Sequence, residues 1–375
     1  MTWYLGRPGA LQQIRPPARD YDRTADDNPT TVELLNGRAV QRRPRALGTY
    51  TYQWNWLERP DWSVIKGVAS GQYGPGPYAL IDGSTANYLT PEQASGDASG
   101  FTANAGLLST VDTPVMLGRS VAWNVAAVTT YSGLVPNDDQ PDPVTFSVPA
   151  GTTRIEVWLV GDLRDPENND LDASLINPAG TVVASSEGAD SNEHMSYTGT
   201  IAAGVWKVSI TAYGPATAGT YTLTVALSSP GTSGTLTAPH PSFGRYPVAA
   251  GEPYTLSMWA QSADSPTAAV AMAWYDTSGT KLSESVSSGA TLSGAWERLA
   301  VTGVAPSGAV TASPELRVSG TGPMVYIGQA RLAMGDTGTD WYPGEGLPAV
   351  SVTSLQESVP IHDKRTVQLT LTEVA

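Results

Sequence analysis

Alternation of period two is the feature that most constrains this chain. In TYTYQWNWL (49–57), Tyr50, Tyr52, Trp54 and Trp56 fall on one side, and Thr51, Gln53 and Asn55 on the other. The closing RTVQLTLTEVA repeats the pattern with Val367, Leu369 and Leu371. Such a run gives a strand one apolar face to bury and cannot give a helix a continuous apolar stripe. The four aromatics therefore read as one row, core-facing first, with an interface as the alternative. Similar runs recur along the chain, each cut by a Gly, Pro or Asn turn. With 38 Gly and 29 Pro in 375 residues, the expectation is an all-β protein. PDWSVIKGVASG (60–71) is the stretch that reads as a short helix, entered through Pro60-Asp61 and stopped by Gly67 or Gly71.

The chain is long enough for two or three separate cores. Near the start, VELLNGRAVQRR carries Asn36-Gly37 between two strand-like runs, a strong hairpin signal. GPGP (74–77) marks a fixed connector. LLSTV and SVAWNVAAV read as short strands. From about residue 136 the rhythm tightens into VTFSV, RIEVWLVG, LDASLINP, TVVASS, MSYTGTI, GVWKVSITAYG and GTYTLTVALS, with PAG, NPAG, AAG and ATAG turns between them. That spacing is characteristic of a β-sandwich. SSPGTSG closes it as a linker. A second set of alternating strands follows, and DWYPGEGLP pivots into one last strand.

Charge excludes some classes of function. The net charge is −14, and residues 1–66 hold ten Lys and Arg against seven Asp and Glu, the remainder eleven against twenty-eight. An acidic bulk does not bind nucleic acid, which needs a basic face. The basic head, with Arg38, Arg42, Arg43 and Arg45, reads either as a contact for an acidic protein surface or as a solvated hairpin. The absence of Cys removes disulfides and thiolate sites. No run of eighteen apolar residues is present, so no membrane insertion is expected, and the first residues do not have the form of a secretory signal.

Chemistry-bearing motifs are sparse. His194, His240 and His362 stand apart, without metal-ligand spacing, and neither GxSxG nor a phosphate-binding glycine loop occurs. No catalytic residue is assigned, and the chain is not expected to be an enzyme. GDLRDPENNDLDASLINPAG (161–180) gathers Asp162, Asp165, Glu167, Asp170 and Asp172. As a general acid and base pair these solvated groups would lack the burial that raises one pKa. As oxygen ligands, Asp165, Asn169, Asp170 and Asp172 suit calcium. The spacing is not that of an EF-hand, because the sixth position counted from Asp165 is Asp170 where Gly is required. The alternative is an acidic loop that keeps a strand edge solvated. Trp259, Tyr275, Trp296 and Tyr326, on or beside sandwich strands, are candidates for stacking on sugar; the competing reading of each is core.

Three stretches resemble known families. LDASLINPAGTVVASSEG with AAGVWKVSITAYGPATAGTYTLTV resembles the bacterial pre-peptidase C-terminal domain, whose D-L-D-x-x-L-x-x-P-x-G pattern is met by Asp170, Leu171, Asp172, Leu175, Pro178 and Gly180. That resemblance implies a small β-sandwich, in some members calcium-binding. NYLTPEQASG, YPVAAGEPYTLSMWAQ, VAMAWYDTSGTKLSES and YIGQARLAMGDTGTDWYPG are similar to a jelly-roll carbohydrate-binding module, which implies that the first sandwich is inserted in the second. LLNGRAVQRRPRALGTYTYQWNWLERPDW, GQYGPGPYALIDGSTANYLTP and RTVQLTLTEVA resemble distal tail (hub) or minor tail proteins of actinobacterial siphophages.

Together these imply a β-rich belt domain (1–85 plus 347–375), a jelly roll (86–135 plus 230–346) and an inserted β-sandwich (136–229). They also imply a structural tail-tip protein with calcium as the one conceivable cofactor. It would be assembled in the host cytoplasm, located at the virion tail tip, and partnered by copies of itself in a ring, the tail tube protein, other tail-tip proteins and host-surface glycan. The alternatives are a secreted glycan-binding or glycoside-degrading protein, and a calcium-dependent adhesin.

Overall fold

The computed structural model describes residues 2–18, 22–25, 30–33, 39–42, 47–113, 118–135, 142–162, 170–188, 191–213, 219–320, 322–335 and 340–374. It is almost entirely β, with antiparallel sheets and three separate apolar cores.

The first sheet has seven strands in the order Gln12–Ile14, Trp3–Gly6, Tyr78–Asp82, Ala349–Ile361, Lys364–Glu373, Gly48–Leu57, Asp22–Ala25. The hairpin formed by the last two strands of the chain lies in the middle of it. Ala349 pairs with Ala79 on one side, and Leu369 with Tyr52 on the other. Alternation aims Val367, Leu369 and Leu371 into the same core as Trp3, Tyr50, Tyr52 and Trp54. The helix Arg59–Ala69 covers that core with Ile65 and Val68. It runs through Gly67 and stops at Ser70-Gly71. A mid-helix Gly costs only about 1 kcal/mol, which burial of the neighbouring apolar pair offsets.

The four-aromatic row is corrected to three. Tyr50, Tyr52 and Trp54 are buried, but Trp56 is 51% exposed and Leu57 takes its place inside. Val367 pairs with Trp54 and Arg365 with Leu57, so Gly48–Leu57 carries an extra residue there. Trp56 adopts φ 61° at this bulge and turns outward. Asn36-Gly37 lies outside the described residues, although the flanking strands Thr30–Glu33 and Ala39–Arg42 do pair antiparallel.

The second core lies between two sheets. One runs Glu297–Val304, Pro253–Gln261, Met324–Met334, Gly118–Asn124, Leu107–Thr113; the other runs Lys281–Val286, Thr267–Tyr275, Thr311–Gly320, Thr232–Thr237, Thr102–Ala103. Trp123 and Trp274 are fully buried between them. Each indole N–H finds an acceptor, Ala105 O at 2.8 Å and Ser285 Oγ at 3.2 Å, as a buried polar group requires.

The third core is a sandwich of two four-stranded sheets. Ala127–Leu134, Thr220–Ser228, Arg154–Asp162 and Asn192–Tyr197 form one; Asp142–Val148, Gly204–Tyr213, Asp170–Ile176 and Val182–Ser186 form the other. Its first strand begins before residue 136. SVAWNVAAV is not one strand, because the Val125 N–H bonds to Pro323 O of the host sandwich at 3.0 Å. From Ala127 onward the backbone pairs with Thr220–Ser228 instead. The insertion is thus entered at 126–127 and left after Ser228.

Candidate functional site

The exposed face of the host's five-stranded sheet brings together two of the four aromatics singled out in the sequence. On Pro253–Gln261, Tyr254, Leu256, Met258 and Ala260 point into the core, so Trp259 points out, half-buried. Tyr326 lies between the core residues Val325 and Ile327 and also points out. Strand register aligns Ser109, Ala122, Tyr326 and Gln261 in one outward row. The other two aromatics do not join them. Tyr275 lies on the opposite sheet beneath Arg245, whose guanidinium is 3.8 Å from the ring centroid. Trp296 is in the turn before Glu297–Val304.

Arg298 stands beside Trp259 as its cross-strand partner, 5.8 Å from the indole centroid. Its Nη1 donates to Gln329 O at 2.8 Å and its Nη2 to Ser257 Oγ at 2.5 Å. Burial, then the positive charge of Arg331, pushes the guanidinium down to about 10. It remains cationic at neutral pH and is held against the aromatic face by fixed acceptors.

Sequence reasoning missed Trp158. Along Arg154–Asp162, Ile155, Val157 and Leu159 enter the inserted core, which leaves Glu156 and Trp158 on the outer face. The alternation in RIEVWLVG carries that signal. Trp158 is half-buried and stacks on His194 across the sheet, with centroids 4.9 Å apart and planes at 18°. Glu156, two residues earlier, is buried where the two sandwiches meet. It accepts a hydrogen bond from the Asn124 amide of the host. Arg154 spans the same joint, with Nη2 donating to Gly322 O at 2.9 Å and to Asn124 Oδ1 at 3.3 Å.

A separate acidic group lies at the edge of the insertion. Carboxylate oxygens of Asp170, Asp172 and Glu193 all fall within 4.8 Å of one another. Asp170 and Asp172 come from one sheet and Glu193 from the other. Glu193 occupies an inward position of NEHMSY beside Met195, and its carboxylate is fixed by the Ser186 hydroxyl and by the Gly188 N–H at 3.0 Å. Burial, then the charges of Asp170, Glu187 and Glu193, pushes Asp172 up to about 6. Three hard oxygen donors with excess negative charge fit a calcium ion. Of the four ligands expected from sequence, Asp165 and Asn169 lie outside the described residues, and Glu193 was not among them.

Arg38, Arg43 and Arg45 also lie outside the described residues, and Arg42 is described only as the last residue of Ala39–Arg42. His240 is buried, with Nε2 2.8 Å from Leu347 O and Nδ1 accepting from the Ser242 and Phe243 N–H groups at 3.1 Å. Its place is structural.

No protein-family model and no curated protein matches the sequence. Among solved structures, the enzymatically active domain of bacteriophage CBA120 tailspike protein 4 aligns at 14% identity and TM-score 0.23, over 47% of this chain and 19% of that one. This chain therefore spans about a fifth of the length of that tailspike domain. A putative secreted protein from Parabacteroides distasonis aligns at 10% identity and TM-score 0.23, over 69% of this chain and 100% of that one. A tandem CBM22 domain from Paenibacillus barcinonensis aligns at 10% identity and TM-score 0.21, over 68% and 100%. Likeness at this level carries no argument about function.

Proposed function

We propose that the chain is a structural tail-tip protein of a phage, a distal tail hub or a minor tail protein. In this reading its seven-stranded belt domain closes with other copies into a ring on the tail axis. The two sandwiches project as peripheral modules, and the host sandwich touches host-surface glycan through the face bearing Trp259 and Tyr326. It works by assembly and adhesion and catalyses no reaction. It is assembled in the host cytoplasm and carried at the virion tail tip, beside the tail tube protein and other tail-tip proteins.

The observation that carries this reading is the construction of the belt sheet from both ends of the chain. Both sandwiches are threaded between Tyr78–Asp82 and Ala349–Ile361, adjacent strands of one sheet. Decorations inserted there leave the platform continuous. Toward one end of that sheet Trp56, Val359 and Ile361 are 51%, 57% and 54% exposed, and exposed large apolar side chains are the kind an assembly covers. Sedimentation velocity on the purified chain tests the ring, and immunogold labelling of virions tests its location. A calcium ion held by Asp170, Asp172 and Glu193 belongs to the same proposal as a clip between the two sheets of the insertion, remote from the belt.

A further inference from the structure

The joint between the two sandwiches does more than hold them. Beside the bonds from Arg154 and Glu156, residues of the host and inserted sheets line an open groove of about 320 Å³. Ser109, Ala122 and Met324 of the host form its floor, and Trp158 and Thr224 of the insertion its wall. The volume falls in the range of small-ligand sites, which combine aromatic and apolar surface with a few polar groups.

Three observations define what would fit. First, the Trp158 indole is stacked on His194 of one neighbouring strand, and Thr224 is its register partner on the other. Second, the hydroxyls of Ser109 and Thr224 have no hydrogen-bond partner among the described residues. Third, none of the described residues that line the groove is a cation. Among these lining residues an anion would find no cationic partner. A purely apolar occupant would bury two hydroxyls without acceptors or donors, which is costly. A neutral pyranose ring, apolar on its C–H face and polar at its rim, meets both requirements.

We propose that this groove is a sugar subsite shared by the two sandwiches, with Trp158 of the insertion as the stacking platform and Ser109 and Thr224 as partners for ring hydroxyls. It deepens the glycan reading, on which it rests, by giving the inserted domain a part in recognition. The floor row runs on from Ser109 and Ala122 to Tyr326, so a longer glycan leaving the groove would cross the aromatic face already described. Past that row the left-handed Gly96 (φ 80°) sits on the sheet, where a Cβ would lie 3.0 Å from Ser120 Cα. The segment it ends therefore bounds the face opposite the insertion.

The test is titration of the full-length chain with neutral tetrasaccharides of glucose, galactose, mannose and N-acetylglucosamine. For any tetramer the unaltered chain binds, Trp158→Ala is expected to weaken binding about tenfold or more, and Trp158→Phe only slightly. Thr224→Trp, which fills the groove without removing packing, is expected to abolish it. Unchanged binding in both Trp158→Ala and Thr224→Trp overturns the shared subsite and leaves glycan contact standing. Loss in Tyr275→Ala alone also overturns it, by moving the ligand to the opposite sheet. If the unaltered chain binds none of the four, glycan contact and the subsite are overturned together.

Discussion

Glu156 shows how much of this molecule depends on single side chains at its joints. Its carboxylate is buried between two domains and shares its neighbours with Arg154. Glu156→Ala leaves the Asn124 amide without its acceptor and Arg154 without its nearby counter-charge. The expected cost is about 1–3 kcal/mol, read as a lower melting temperature and faster proteolysis near residue 126. Gly322 is subject to a harder constraint. Its φ is 60°, and a Cβ would lie 2.0 Å from the Ser228 Cβ. Gly322→Ala should destabilise by about 2 kcal/mol or more, and a variant as stable as the parent would show that the joint can shift. Trp158 was readable from strand alternation alone, since RIEVWLVG turns it outward; Glu193 was not, because the strand read as MSYTGTI starts two residues after it. Trp56 was not, because the bulge that expels it is set by pairing with a strand some three hundred residues away.

At the scale of elements, the edge of the insertion has a defined pH response. Asp172 titrates near 6 in the fold against an ordinary 3.8, so between about pH 4 and 6 the folded chain holds a proton the unfolded chain releases. This contribution is full at the acidic end and is lost as pH rises through 6. In chelator, the insertion should therefore melt at a lower temperature at pH 7 than at pH 5, and Asp172→Asn should remove that difference. Calcium at pH 7 should raise the melting temperature of the parent and not of Glu193→Gln; a flat calcium titration would remove the ion from the account. In the host, Thr90 and Gln93 form a reciprocal cap on the helix Pro91–Ser95. Gln93 also donates to Gly100 O and Pro239 O, at 2.9 and 2.7 Å. Gln93→Ala should cost about 2 kcal/mol, measurable by denaturant unfolding.

That cap is written in the sequence as T-P-E-Q followed by Gly96, a local signal that strand-oriented reading passes over. Six strands of the insertion were legible to within two residues at each end, because turn chemistry and alternation are local; MSYTGTI was read three residues late, the strand being Asn192–Tyr197. The break inside SVAWNVAAV was not, because the same alternation continues on both sides and the bond that decides it comes from Pro323.

For the whole molecule, the decisive element is the terminal hairpin. Ala349–Ile361 and Lys364–Glu373 supply the centre of the belt sheet, so deleting 349–375 should unfold the belt while leaving the inserted sandwich, which has its own core, folded. Two-dimensional NMR of the truncated chain would show the insertion's dispersed resonances if this is right. The closing alternation of Val367, Leu369 and Leu371 made a final strand readable; that it splits the first sheet is a long-range choice that periodicity does not encode. In the proposed assembly the belt closes into a ring through its exposed end. Sedimentation velocity of the purified chain, with and without Trp56→Asp and Ile361→Asp, tests it most directly. A ring-forming belt gives a discrete closed oligomer for the parent and a monomer for the double variant. A parent that stays monomeric across the accessible concentration range, or a double variant that forms the same oligomer, would contradict it.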